Sequence, residues 1–79
     1  MNKFAVAVLS FFENDNKVFI VEGSNPVEAM CLAIAQFQGD NMDEDTKDWI
    51  NSMKNKAVDE VQEICADGDL AVSNPVLIK

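Results

Sequence analysis

A chain of 79 residues with fourteen Asp and Glu, six Lys, no Arg and no His carries a formal net charge of −8. That length holds one domain, residues 1–79, which buries roughly 60–65% of its unfolded surface and lies near the lower limit for folding without a disulfide, a metal or a second subunit. Its charge repels phosphate backbones and anionic lipid headgroups, so direct nucleic-acid binding and membrane-surface binding are excluded and a basic protein surface is the expected partner.

The first apolar run, Phe4-Ala-Val-Ala-Val-Leu-Ser-Phe-Phe12, is rich in β-branched and aromatic residues and too short for a helix, so it predicts a strand. Phe4, Val6, Val8 and Phe12 fall on one side with Ser10 among them, and Ala5, Ala7, Leu9 and Phe11 on the other. Both sides are apolar, which predicts a central strand or a covered second face. The polar turn Glu13-Asn-Asp-Asn16 and the run Lys17-Val-Phe-Ile-Val-Glu22 complete a β-hairpin.

Gly23-Ser24-Asn25-Pro26 opens a helix. Asn25 suits the N-cap, Pro26 the first helical position and Glu28 a capping-box spacing. The stripe Val27, Met30, Cys31, Ile34 and Phe37 carries this helix to about Gln38, with Gly39 as its stop. An acidic link, residues 40–46, places carboxylates in the first turn of a following helix, where the helix dipole favours them. Trp49, Ile50, Met53, Ala57, Val61 and Ile64 hold helical phase, so the spacing predicts one long helix over about 42–66, with a break near 52–55 as the alternative. Asp67-Gly68-Asp69 ends it. A last strand, 70–78, is bent or ended at Pro75 and lies at a sheet edge, where proline is tolerated. The expected fold is α+β in the order β-β-α-α-β: a three-stranded, mostly antiparallel sheet with helices packed on one face.

Without His, Arg or Tyr, the usual general base, the phosphate clamp and most oxyanion donors are missing, and an enzyme is not expected. Cys31 and Cys65 lie on predicted helices with apolar neighbours and no activating cation nearby, so buried free thiols are expected. The carboxylates from Asp40 onward miss the EF-hand spacing, with Asp45 where glycine is required and Asn51 where a bidentate Glu is required. Two thiols without imidazole do not make a zinc site. No metal and no cofactor are expected. The N-terminal run lacks the layout of a secretory signal and is far shorter than a membrane span, so a cytoplasmic, reducing location is expected.

On the long helix, Glu44, Asp45, Asp48, Asp59 and Glu63 project to one side, opposite the apolar stripe, with Asp40 and Asp43 just before it. One reading is the ordinary solvated face of an amphipathic helix. The other is an anionic recognition surface that docks on basic residues and imitates the charge of a nucleic acid. Phe11, Phe12 and Phe19 suggest the aromatic sheets that stack RNA bases, but the cations that back such platforms are absent, so core or interface positions are expected.

The hairpin, the capped helix beginning Asn25-Pro-Val-Glu-Ala-Met30 and the acidic link together resemble small phage-encoded accessory proteins, a group that includes anti-CRISPR proteins and other inhibitors of host defence. A second resemblance, over residues 18–37, is to the hairpin-then-helix part of HicB-type antitoxins. Both imply an inhibitor that blocks a basic functional surface, such as that of a nucleic-acid-binding complex, and the first implies that it acts in the host cytoplasm. The expected function is a non-enzymatic binding protein using Asp40, Asp43, Glu44, Asp45, Asp48, Asp59 and Glu63. The alternative is a structural protein that forms a homodimer or larger homo-oligomer through its sheet face, with acidity serving solubility.

Overall fold

A computed structural model describes residues 2–12, 15–39 and 42–78. Strand β1 (Asn2–Ser10) runs up the middle of the sheet, and β2 (Asp15–Gly23) returns antiparallel along one side of it. Helices α1 (Pro26–Gln38), α2 (Glu44–Met53) and α3 (Val58–Asp67) follow, and the short strands β3 (Leu70–Val72) and β4 (Val76–Ile78) occupy the other side of β1. The class is α+β, an open antiparallel sheet with helices packed against it, as the element pattern predicts. Of the expected hairpin turn, Glu13 and Asn14 lie outside the described residues.

Alternation along β1 sorts its side chains. Phe4, Val6, Val8 and Ser10 are buried beneath the helices, while Ala5, Ala7 and Leu9 are half-buried on the opposite face. Across the hairpin, Val21 and Phe19 sit opposite Phe4 and Val6, so they share the helix side. Phe19 meets the ring of Phe37 on α1 edge to face, with centroids 6.4 Å apart. The sequence expectation for Phe12 is corrected: the strand ends at Ser10, and Phe11 and Phe12 are exposed in the turn. The Phe11 N–H donates to the Asp69 carbonyl at 3.0 Å, which ties this turn to the end of α3.

The sequence places α1 correctly at both ends. Asn25 is the N-cap and accepts from the Glu28 N–H at 2.9 Å. Glu28 does not close the capping box on the cap residue itself. Its carboxylate reaches one residue further back and accepts from the Ser24 N–H at 3.1 Å and the Ser24 hydroxyl at 2.9 Å. Gly39 ends the helix with φ +86°, a left-handed value that disfavours any side chain. Asn25→Ala leaves the Glu28 N–H without its acceptor and is expected to cost about 1 kcal/mol. In a thermal melt followed by circular dichroism this lowers Tm by roughly 4–8 °C.

The single long helix is replaced by two. The break runs over residues 54–57, overlapping the 52–55 of the alternative reading. At 25 residues and 1.5 Å per residue, an unbroken helix would measure about 37 Å, longer than the 33 Å greatest extent of the whole fold. Folding it in two lets Ile50 and Met53 from α2 and Val61 and Cys65 from α3 all reach one core with Met30, Ile34 and the sheet. Ala57, expected on the apolar stripe, is instead the exposed N-cap of α3. The Ser52 hydroxyl donates back to the Trp49 carbonyl at 2.6 Å, competing with the helical ladder as the turn begins.

The last strand is split as well. Val8, Leu9 and Ser10 pair with Val72, Ala71 and Leu70, whereas Lys3, Phe4 and Ala5 pair with Ile78, Leu77 and Val76. The register shifts by one residue between the two stretches, so Asn74 and Pro75 together form a bulge opposite Val6. Ser73 keeps the ladder intact beside it, its N–H donating to the Ala7 carbonyl and its hydroxyl accepting from the Ala7 N–H, both at 2.9 Å. Gln62 on α3 donates to the Val72 carbonyl at 3.2 Å and to the Asn74 side-chain oxygen at 2.8 Å, which fixes the bulge against the helix. Proline causes no loss here, because the bulge needs no N–H at that position.

Candidate functional site

The acidic residues singled out in the sequence occupy two elements rather than one helix face. Asp43, Glu44, Asp45 and Asp48 belong to the start and middle of α2, and Asp59 and Glu63 to α3; all six are exposed. Asp40 lies outside the described residues. With the break in between, the helical phase that related Asp48 to Asp59 in the sequence no longer applies, and the two groups lie on separate helices.

The carboxylates differ in how far they are committed. Asp43 caps α2, its Oδ1 accepting from the Thr46 N–H at 2.8 Å, and hydrogen bonds from Thr46 hold its carboxyl below the ordinary range. Glu28 is also held low, by the backbone and then the side-chain hydrogen bond from Ser24. Both groups contribute stability at neutral pH that is lost as pH falls through their lowered folded values. Glu44 lies 3.8 Å from Lys47, an exposed pair that contributes little. It is the only ion pair among the described residues, so Asp45, Asp48, Asp59 and Glu63 face solvent without a cationic neighbour in contact. Glu60 and Asp67 on α3 are exposed acidic residues that the sequence reading did not single out, and Glu60 accepts from the Ala57 N–H at 3.5 Å. The first-turn position of Glu60, favoured by the helix dipole, is the signal that would have found it.

Comparison with protein-family models, with curated proteins and with solved structures finds no match to this chain.

Its own surfaces therefore carry the functional reading. Among the described residues no three carboxylates or thiols converge on a point that could hold a metal ion, and no helix is long and apolar enough to cross a membrane. Cys31 and Cys65 are buried free thiols, and burial pushes both up in pKa, Cys65 to about 11. Among the described residues, a cavity of about 410 Å³ beside Trp49 and Thr46 is lined by no ionisable side chain. A second, of about 310 Å³ between α1 and α2, is lined by Leu32, Ala35 and Ile50 together with Glu28, Lys47 and Lys54. Glu28 is already engaged with Ser24 there. What the helical layer offers chemically is a set of exposed carboxylate oxygens, acceptors matched to ammonium and guanidinium groups.

Proposed function

We propose that this chain is a non-catalytic binding protein whose acidic helical layer docks on a Lys- and Arg-rich surface of a macromolecular partner. The observation that carries the reading is the charge: −8 overall, with Asp45, Asp48, Asp59 and Glu63 exposed and free of ion pairs within the described fold. Such a layer attracts cationic surfaces over a screening length of about 10 Å at 0.1 M salt and accelerates encounter with them. Where the basic surface is one that a nucleic acid must occupy, docking excludes the nucleic acid and the chain acts as an inhibitor.

The test is capture of partners by the tagged full chain over a salt series, with a variant carrying Asp45→Asn, Asp48→Asn, Asp59→Asn and Glu63→Gln as the control bait. Capture is expected to weaken roughly tenfold or more between about 0.1 and 1 M salt, and to weaken likewise in the variant. A partner that holds equally well at 1 M salt and on the neutralised variant overturns the reading.

A further inference from the structure

The face of the sheet turned away from the helices is apolar, nearly neutral and contoured. The register places four rows across it: Glu22, Lys3 and Ile78; then Ile20, Ala5 and Val76; then Val18, Ala7 and Ser73; then Asn16, Leu9 and Ala71. The bulge at Asn74 and Pro75 decides the third column. It reverses the alternation, so Val76 and Ile78 come to this face, whereas an unbulged strand would turn them toward the helices. Val18, Ile20, Val76 and Ile78 are 68%, 58%, 62% and 39% exposed. Beside the Val18–Ile20 ridge runs a trough floored by Ala5 and Ala7, walled on its far side by Val76 at Ala5 and by the smaller Ser73 at Ala7.

From this relief we infer that the open face binds the same face of a second copy of the chain. A ridge beside a trough one strand spacing away, about 4.8 Å, is self-complementary. Under a two-fold axis, Val18 and Ile20 of each copy enter the Ala5–Ala7 trough of the other, as an isologous interface requires. Charge selects the same partner. The two charges on this face, Lys3 and Glu22, cancel, and the excess of carboxylates lies on the helices and loops. Face-to-face packing therefore joins two chains of charge −8 on the side where neither carries it, with both acidic layers outward. Nine residues of strand and three strand positions give a footprint of about 30 by 15 Å. The interface falls at the small end of specific ones, so the dimer dissociates on dilution.

The test is sedimentation equilibrium of the full chain up to about 1 mM, a range that covers interfaces of this size. The unmodified chain is expected at twice the 8.7 kDa of a single copy, and its dimer to tighten as salt screens the repulsion between copies. That trend is opposite in sign to the salt dependence of docking on a basic partner, so the failure of one proposal is distinguishable from the failure of the other. Ile20→Lys and Val76→Lys should each weaken the dimer at least tenfold, and Leu32→Lys, on the exposed side of α1, should leave it unchanged. Ala7→Leu fills the trough while adding apolar surface, and it should weaken the dimer too; indiscriminate stickiness would strengthen it. A monomer at every concentration, a dimer that survives Ile20→Lys or one that Ala7→Leu strengthens each overturns the inference. Where a variant fails to fold, solvent paramagnetic relaxation of the methyl groups in the unmodified chain decides. Shielding of Val18, Ile20 and Val76 that grows with concentration supports the dimer, and unchanged exposure overturns it.

Discussion

Ile34→Ala is expected to destabilise the chain by about 2–5 kcal/mol, the range for truncating a fully buried aliphatic side chain. Ile34 is completely buried at the centre of the core, on the helix that packs against both hairpin strands and both later helices. Truncation loses the transfer free energy of the removed carbons and leaves a cavity that these packed elements cannot fully close. A domain of this size has only about 4–12 kcal/mol of total stability, so the variant lies close to the folding threshold. The Tm should fall by roughly 10–30 °C in a calorimetric or circular-dichroism melt. Leu32→Ala, two residues away on the same helix but on its exposed side, should change stability by no more than about 0.5 kcal/mol. Equal effects of the two substitutions would mean that α1 does not face the sheet as described.

The second large effect concerns the thiols. Burial pushes Cys65 up from 9.0 to about 11, with a smaller contribution from nearby Cys31, and burial also raises Cys31. At pH 8 an ordinary thiol is roughly a tenth ionised, whereas one titrating near 11 is ionised to about a thousandth. Ionisation alone therefore slows alkylation of Cys65 about a hundredfold, and burial slows it further. Labelling followed by mass spectrometry should find both cysteines protected in the folded chain and reactive in denaturant. Modification of either within tenfold of the denatured rate contradicts their placement. The folded chain holds the Cys65 proton to higher pH than the unfolded chain does. Stability is therefore unaffected by this group below pH 9 and falls as pH rises from 9 toward 11, by about 2–3 kcal/mol in all. Cys65→Ala should lack this alkaline loss, measured as the slope of unfolding free energy against pH.

Features set by neighbours in the chain were legible in the sequence. Asn25 and Pro26 fix the start of α1 and Gly39 fixes its end because caps act through groups within four residues. The hairpin was legible for the same reason. Phe12 was misplaced because apolar alternation persists past Ser10, and alternation alone does not say where a strand stops being paired. The helix break was not marked by glycine or proline. Trp49 through Ile64 keep phase, so the spacing left the unbroken and the divided helix both open, and burial of Ile50, Met53, Val61 and Cys65 in one core selects the divided one. The acidic site was half legible: exposure of Asp43, Glu44, Asp45, Asp48, Asp59 and Glu63 follows from their charge, but their common face assumed a helix that is divided.

The sequence by itself determined the α+β class, the hairpin, the boundaries of α1 and an acidic surface without guanidinium or imidazole, since composition and local backbone preferences act without reference to distant residues. Tertiary structure alone decided which carboxylates share a helix and what relief the open face presents. Those depend on where α2 gives way to α3 and on the one-residue shift at Pro75, both imposed by packing between segments far apart in the chain.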